Sequence, residues 1–172
     1  ESWDERYAGG KFSSAEPHRL LVEQPVCNSH ADDDGGGIHN QGTLSVIDAT
    51  VTDNVAAGSG GGIFNGGSLE LVGNANVTGN RAAFGGGIFH ENADLTIYGG
   101  VEVAANTALR KGGGLYNGGG TVILRNGSRV TDNSAPNGGG LTNDGGTLTL
   151  QSGSQVTGNT AKNGGGQIDS SL

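Results

Sequence analysis

The chain has 172 residues, 36 of them glycine; it is 33% hydrophobic and 5% aromatic, and its net charge is −8. That much glycine excludes a helical bundle, because each glycine inside a helix costs about 1 kcal/mol. No apolar run approaches the roughly 20 residues of a membrane-spanning helix, and no stripe of bases suits nucleic acid.

Residues 1–34 hold eight acids against three bases, a net charge of −5, while the remainder carries nine acids and six bases. Within this first segment, Ala8-Gly9-Gly10-Lys11-Phe12 and Val26-Cys27-Asn28-Ser29-His30-Ala31 faintly echo the repeats of the remaining chain. Residues 1–34 are therefore expected to be a degenerate coil that caps a repeat array. Asp32-Asp33-Asp34 is read as a solvated acidic turn, with Ca²⁺ held by the carboxylates as the alternative. Cys27 is the single cysteine, so it has no partner within the chain. It is read as a buried thiol, with pairing to another chain as the alternative.

From residue 35 a repeat takes over. Three glycines precede an aliphatic residue in runs that begin at Gly35, Gly60, Gly85, Gly112 and Gly138, and a sixth run begins at Gly164. The steps are 25, 25, 27, 26 and 26 residues. A fixed period of this size marks units that bury their apolar faces only by stacking. Residues 35–172 are thus read as five full coils and a partial sixth.

Each repeat shows the same columns. The aliphatic after the glycines is Ile38, Ile63, Ile88, Leu115 or Leu141. Two residues on stands Asn40, Asn65, His90, Asn117 or Asn143. An alternating pair comes next, such as Leu44/Val46 or Leu148/Leu150, and then a valine. A second polar column holds Asn54, Asn80, Asn106, Asn133 and Asn159, with an alanine two residues later. The local period is two, the pattern of a half-buried strand. Gly, Asn, Asp and Ser between the runs are turn residues. About three short strands per coil of 25–27 residues predict an all-β fold, a right-handed parallel β-helix. Coils then repeat at about 4.8 Å, and five of them span about 24 Å. The two asparagine columns are read as stacked amide ladders inside the rod.

Candidate chemistry is sparse. No phosphate-binding glycine loop, zinc motif or other cofactor signature occurs, and no cofactor is expected. The third coil is the irregular one: His90 replaces a ladder asparagine and Asp94 replaces the Ser or Thr before the leucine. Glu70 and Asp94 are predicted to point outward on adjacent coils, a diagonal separation of about 5–8 Å. Paired carboxylates of this kind serve glycosidases, so Glu70, His90 and Asp94 form the candidate set for a polysaccharide lyase or glycoside hydrolase. Phe64, Phe89 and Tyr116 come just after the inward aliphatic and are expected to stack on a rod face. They either pack structurally or offer a strip to a sugar ring or protein. A column of Thr52, Thr78, Thr131 and Thr157, broken by Ala104, raises ice binding as a further reading. Two N-x-[ST] sequons, at Asn76 and Asn126, are matches expected by chance in so polar a repeat.

The block Gly60-Gly61-Gly62-Ile63-Phe64-Asn65, with Ser68-Leu69-Glu70-Leu71 and Val77-Thr78-Gly79-Asn80-Arg81-Ala82, resembles the polymorphic outer-membrane-protein type of repeat. It is also similar to bacterial surface β-helices of the pectin-lyase-like superfamily. The resemblance covers residues 35–168. It implies a right-handed parallel β-helix displayed outside the cell, often as an adhesin. The family favours Gly-Gly-Ala before the aliphatic and a Phe-x-x-Asn motif. This chain has Gly-Gly-Gly, and one such motif, Phe89 to Asn92. No lyase motif is matched, so no catalytic residue transfers. The expected role is non-catalytic adhesion or structural presentation at the cell surface or outside the cell. A host or matrix protein or a polysaccharide is the expected partner. A polysaccharide-binding or polysaccharide-degrading β-helix is the alternative. The repeat pattern stops within the sixth coil, so either further chain or end-to-end self-association through the C-terminal coil is expected to cover it.

Overall fold

The computed structural model describes residues 4–5, 12–14, 18–21 and 25–170, with side chains from residue 25 onward. Among the described residues there is no helix, so none is long and apolar enough to cross a membrane. The chain winds into a parallel β-solenoid of about six turns, built of four sheets along the rod. Each coil adds one strand to each sheet, as in Ile38–Asn40, Thr43–Ile47, Thr50–Thr52 and Val55–Ala56. The sheets these four strands belong to are called the first to fourth sheets. Strands pair in parallel and in register: Ile63 lies between Ile38 and Ile88, and Val77 between Val51 and Val103. Parallel crossovers of this kind are right-handed by general rule.

Four strands per coil stand where three were expected. The stretch from the valine to the alanine is two strands, because it breaks at the residue before each asparagine of the second column. There Asp53, Gly79, Ala105, Asp132 and Gly158 have φ between 54° and 70°, which ends one strand and starts the next. Glycine suits this left-handed conformation because it lacks a Cβ, and aspartate tolerates it. The break turns each asparagine side chain into the rod.

The interior is a set of straight columns. Ile38, Ile63, Ile88, Leu115 and Leu141 are fully buried, as are Leu44, Leu95, Leu124 and the valines Val51, Val77, Val103 and Val130 of the third sheet. Each such side chain contributes about 1.5–3 kcal/mol by leaving water. Because every coil supplies the same few side chains, a small hydrophobic fraction suffices for a continuous core. Strands of residues 1–34, the expected cap, join the sheets. Phe12–Ser14 pairs with Ile38–Asn40, and Val26 and Ala31 stand beside Val51 and Ala56. Residues 8–11 of that expectation lie outside the described residues. Cys27 is half-buried rather than buried, because it falls in the outward column beside Thr52.

Coil length varies: in the longest coil one extra residue enters between His90 and Leu95, and one is absorbed in the fourth sheet. Thr107–Lys111 is one residue longer than Arg81–Phe84, and pairing slips between Ala82 and Phe84. This β-bulge accommodates part of the 27-residue step of the sequence. The sixth glycine run is also displaced. Ile168, not Gln167, takes the aliphatic column opposite Leu141. Gly165, with φ 62°, then matches the first glycines of the other triplets. Gln167 thus occupies a third-glycine position.

Candidate functional site

The second asparagine column is an amide ladder in which the side-chain donors and acceptors are fully used. Asn80 Oδ1 accepts from Asn54 N at 2.9 Å and from Asn54 Nδ2 at 3.0 Å. Its Nδ2 donates to Val51 O at 2.9 Å and to Asn106 Oδ1 at 3.0 Å. An amide can make about four such bonds, and Asn80 makes them all. Asn106 and Asn133 repeat the arrangement. The third glycine of each triplet packs against this column. A Cβ on Gly87 would stand 2.8 Å from Asn106 Nδ2, and one on Gly114 2.8 Å from Asn133 Nδ2. These positions are glycine because the ladder fills the space a side chain would need.

The first polar column is a ladder with a break. Asn40 Nδ2 donates to Asn65 Oδ1 at 2.6 Å, and Asn65 Nδ2 lies 2.9 Å from His90 Nδ1. His90 Nε2 lies 3.1 Å from the Ala93 carbonyl, so it is the nitrogen that carries the proton and Nδ1 accepts. The chain of amides stops there and resumes with Asn117 Nδ2 donating to Asn143 Oδ1 at 2.7 Å. His90 is fully buried. Burial lowers its pKa from 6.5, against the smaller opposing effects of the Ala93 carbonyl and the Asp94 charge.

His90 is therefore separated from the two carboxylates with which it was grouped. Glu70 and Asp94 lie on the outer face of the second sheet and line a shallow depression of about 250 Å³ with Thr43, Ser68 and Thr96. Glu70 stands opposite Thr96, and Leu69 opposite Leu95, which sets Asp94 on the diagonal from Glu70 as expected. Tyr98 Oη donates to Glu70 Oε1 at 3.1 Å and Ser45 Oγ to Oε2 at 3.4 Å. The imidazole lies inside the rod and does not reach this face.

The aromatic column forms a continuous stack on the first sheet. His39 to Phe64, Phe64 to Phe89 and Phe89 to Tyr116 have centroid separations of 4.8, 5.3 and 5.1 Å, with planes within 21° of parallel. The rings cover one another's faces, so the strip offers edges to solvent. A sugar ring stacks on a face, and the inner rings have none free. The strip is also partly covered. Phe64 is buried, and the first glycine of each triplet folds over the residue four positions on, so that a Cβ on Gly112 would stand 2.8 Å from Tyr116 Cβ. At the end of the stack, Tyr116 Oη donates to Asp144 Oδ2 at 2.8 Å, beside Lys111 Nζ at 2.7 Å from the same oxygen. Burial and then the bond to Asp144 push the phenol pKa up to about 12.

In the threonine column, Thr78 Oγ1 donates to Thr52 Oγ1 at 3.3 Å, and Thr131 Oγ1 bonds Glu102 across the Ala104 gap. A flat array with free hydroxyls is therefore interrupted at mid-length. Among the described residues, no group of three or more His, Cys, Asp or Glu is placed to hold a metal ion.

Sequence reasoning missed Gln167 and the bulge residues Leu109 and Arg110. The signal for the latter was the single 27-residue step between consecutive glycine runs. No protein-family model matches the chain, and no curated protein or solved structure matches it.

Proposed function

We propose that this chain is a non-catalytic β-helix that works outside the cell or on its surface, by adhesion or structural presentation. The observation that carries the reading is the separation of the candidate acid–base set. Glu70 and Asp94 face solvent while His90 is sealed in a ladder. General acid–base chemistry needs its groups within hydrogen-bond reach of one substrate. A rod whose second asparagine ladder is saturated and whose strands pair in register holds its faces aligned, which suits display. The resemblance of the glycine repeat to polymorphic outer-membrane-protein and pectin-lyase-like β-helices supports the same reading. The partner is a host or matrix protein or a polysaccharide.

Adhesion can be measured directly. Beads coated with the purified chain are expected to adhere to immobilised matrix protein or glycan, and Glu70→Gln/Asp94→Asn is expected to leave adhesion intact. Release of new reducing ends or unsaturated sugars from a polysaccharide panel, abolished by the same double substitution, would overturn it. That outcome would establish the second reading, a polysaccharide-acting β-helix, which the acidic depression at Glu70 and Asp94 favours.

A further inference from the structure

The fourth sheet carries an axial groove that neither functional reading uses. It runs across three coils and encloses about 340 Å³. One wall is a row of hydroxyls, Thr107, Ser134 and Thr160, in which Thr107 Oγ1 lies 3.2 Å from Ser134 Oγ. The other wall is Leu109, Pro136 and Lys162, with the small residues Ala108, Ala135 and Ala161 between.

Leu109 is the informative residue. It is 53% exposed. Among the described residues the other exposed large hydrophobics, Leu150 and Ile168, lie in the last two turns of the rod. Leu109 stands in mid-rod, with coils on both sides. It follows the inward Ala108 in the outward column shared with Pro136 and Lys162, and it adjoins the bulge in Thr107–Lys111. Bulges gather where a side chain is re-aimed for use.

Charge gives the second observation. Four of the six bases from residue 35 onward, Arg81, Arg110, Lys111 and Lys162, lie in strands of this sheet. From Val55 onward those strands contain no acid. Lys111 turns away to Asp144, and Arg110 lies over the Phe84 ring at 5.6 Å. Arg81 and Lys162 make no ion pair among the described residues. In a chain of net charge −8, this partly apolar groove is lined by one base, Lys162, and no acid, and Arg81 stands at its end.

Resting on the presentation reading, we infer that this groove binds an extended acidic polypeptide segment of the partner. Arg81 adjoins the groove at one end, opposite Thr107, and Lys162 lines the other. Three coil steps separate them, about 14 Å. An extended chain covers that distance in about four residues. The segment recognised has two acidic side chains about four positions apart with small apolar residues between. The groove has no aromatic face, and its apolar wall fits methyl-sized side chains better than a sugar ring.

The probe is a fluorescein-labelled Glu-Ala-Val-Ala-Glu peptide, with Gln-Ala-Val-Ala-Gln as the neutral control, followed by anisotropy with the purified chain. Binding of the acidic peptide is expected, and about tenfold weakening between roughly 50 and 300 mM salt. Leu109→Asp and Lys162→Glu are each expected to weaken it about tenfold, as loss of a central anchor does. Both lie on the surface, so an unchanged melting curve certifies folding. No binding, equal binding of the neutral peptide, or indifference to both substitutions overturns the groove. Tighter binding of polygalacturonate, lost in the same variants, overturns the peptide assignment in favour of a glycan. Failure of the peptide while coated beads still adhere overturns the groove and leaves the presentation reading standing. Cleavage of either probe overturns that reading itself.

Discussion

Gln167 completes the ladder that Asn159 would otherwise leave open. Its Oε1 accepts from Asn159 Nδ2 at 3.0 Å and from Asn159 N at 3.4 Å, and its Nε2 donates to Asn159 O at 3.2 Å. In the preceding coils that place is filled by the next asparagine, and the residue at the position of Gln167 is glycine. One side chain thus substitutes for two recurring features of the repeat geometry, the ladder amide and the empty space it needs. Gln167→Ala is expected to destabilise the chain by about 1–2 kcal/mol, because it leaves the Asn159 donors unpaired. Hydrogen exchange should show the loss at the Asn159 amide, with the amides of Asn80 and Asn106 unchanged. Uniform protection in the variant would mean that water serves this end equally well.

The two ladders differ in strength. Asn106 bonds through all of its polar valences, whereas Asn117 has a single ladder bond and a contact from Gly119 N at 3.3 Å. Asn106→Ala is expected to cost about 3 kcal/mol and Asn117→Ala about 1 kcal/mol in denaturant unfolding. Thr149→Ala, on the exposed face, should stay within about 0.5 kcal/mol. Equal losses at Asn106 and Asn117 would refute the ranking.

His90 makes stability depend on pH. The folded state holds the neutral ring, so its pKa lies below the unfolded value of 6.5. The unfolded chain then binds more protons between those two values. Stability is complete above pH 6.5 and falls as the pH drops from there toward the lowered folded pKa. The slope from one group is at most about 1.4 kcal/mol per pH unit. Protonation would set an N–H on Nδ1 against the Asn65 amide hydrogens. Asp94 is the acid whose charge acts on the ring, and it opposes the effect only in part. His90→Asn should flatten this part of the profile when urea midpoints are compared at about pH 7.5 and about pH 5. Parallel profiles for the two proteins would remove His90 as the cause.

Steric demand at the third glycine can be tested by one methyl group. In Gly87→Ala the new Cβ would stand 2.6 Å from Gly114 O and 2.8 Å from Asn106 Nδ2. Overpacking of this kind costs about 1–3 kcal/mol. The control is Gly119→Ala, whose Cβ would approach nothing nearer than Asn92 Oδ1 at 3.2 Å. It should change the melting midpoint little. A Gly87→Ala protein as stable as the parent would show that the ladder tolerates displacement.

Much of this architecture was legible in the residues because the fold repeats its chemistry. Ile38, Ile63 and Ile88 recur with Asn40 and Asn65 at a fixed offset, and each column can be satisfied only by its own neighbours one coil away. Period, parallel β-fold, core and both ladders come from that. The four-strand coil was present in the sequence too, in the Asp or Gly before Asn54, Asn80, Asn133 and Asn159, although Ala105 hides the pattern in the third coil. Chain spacing alone does not specify how a coil absorbs one residue more or less. Pairing between neighbouring strands decides that, by placing one extra residue between His90 and Leu95 and one in the fourth sheet at Leu109 and Arg110. The same pairing shifts the sixth glycine run by one residue and brings Gln167 onto Asn159. The inward place of His90, away from Glu70 and Asp94, follows from its position in the ladder column, because a strand's alternation fixes the face of a side chain whatever its chemistry. The sequence by itself determined the columns; contacts between coils decided which side chains meet, since hydrogen bonds in a solenoid are made to the next turn and not along the chain.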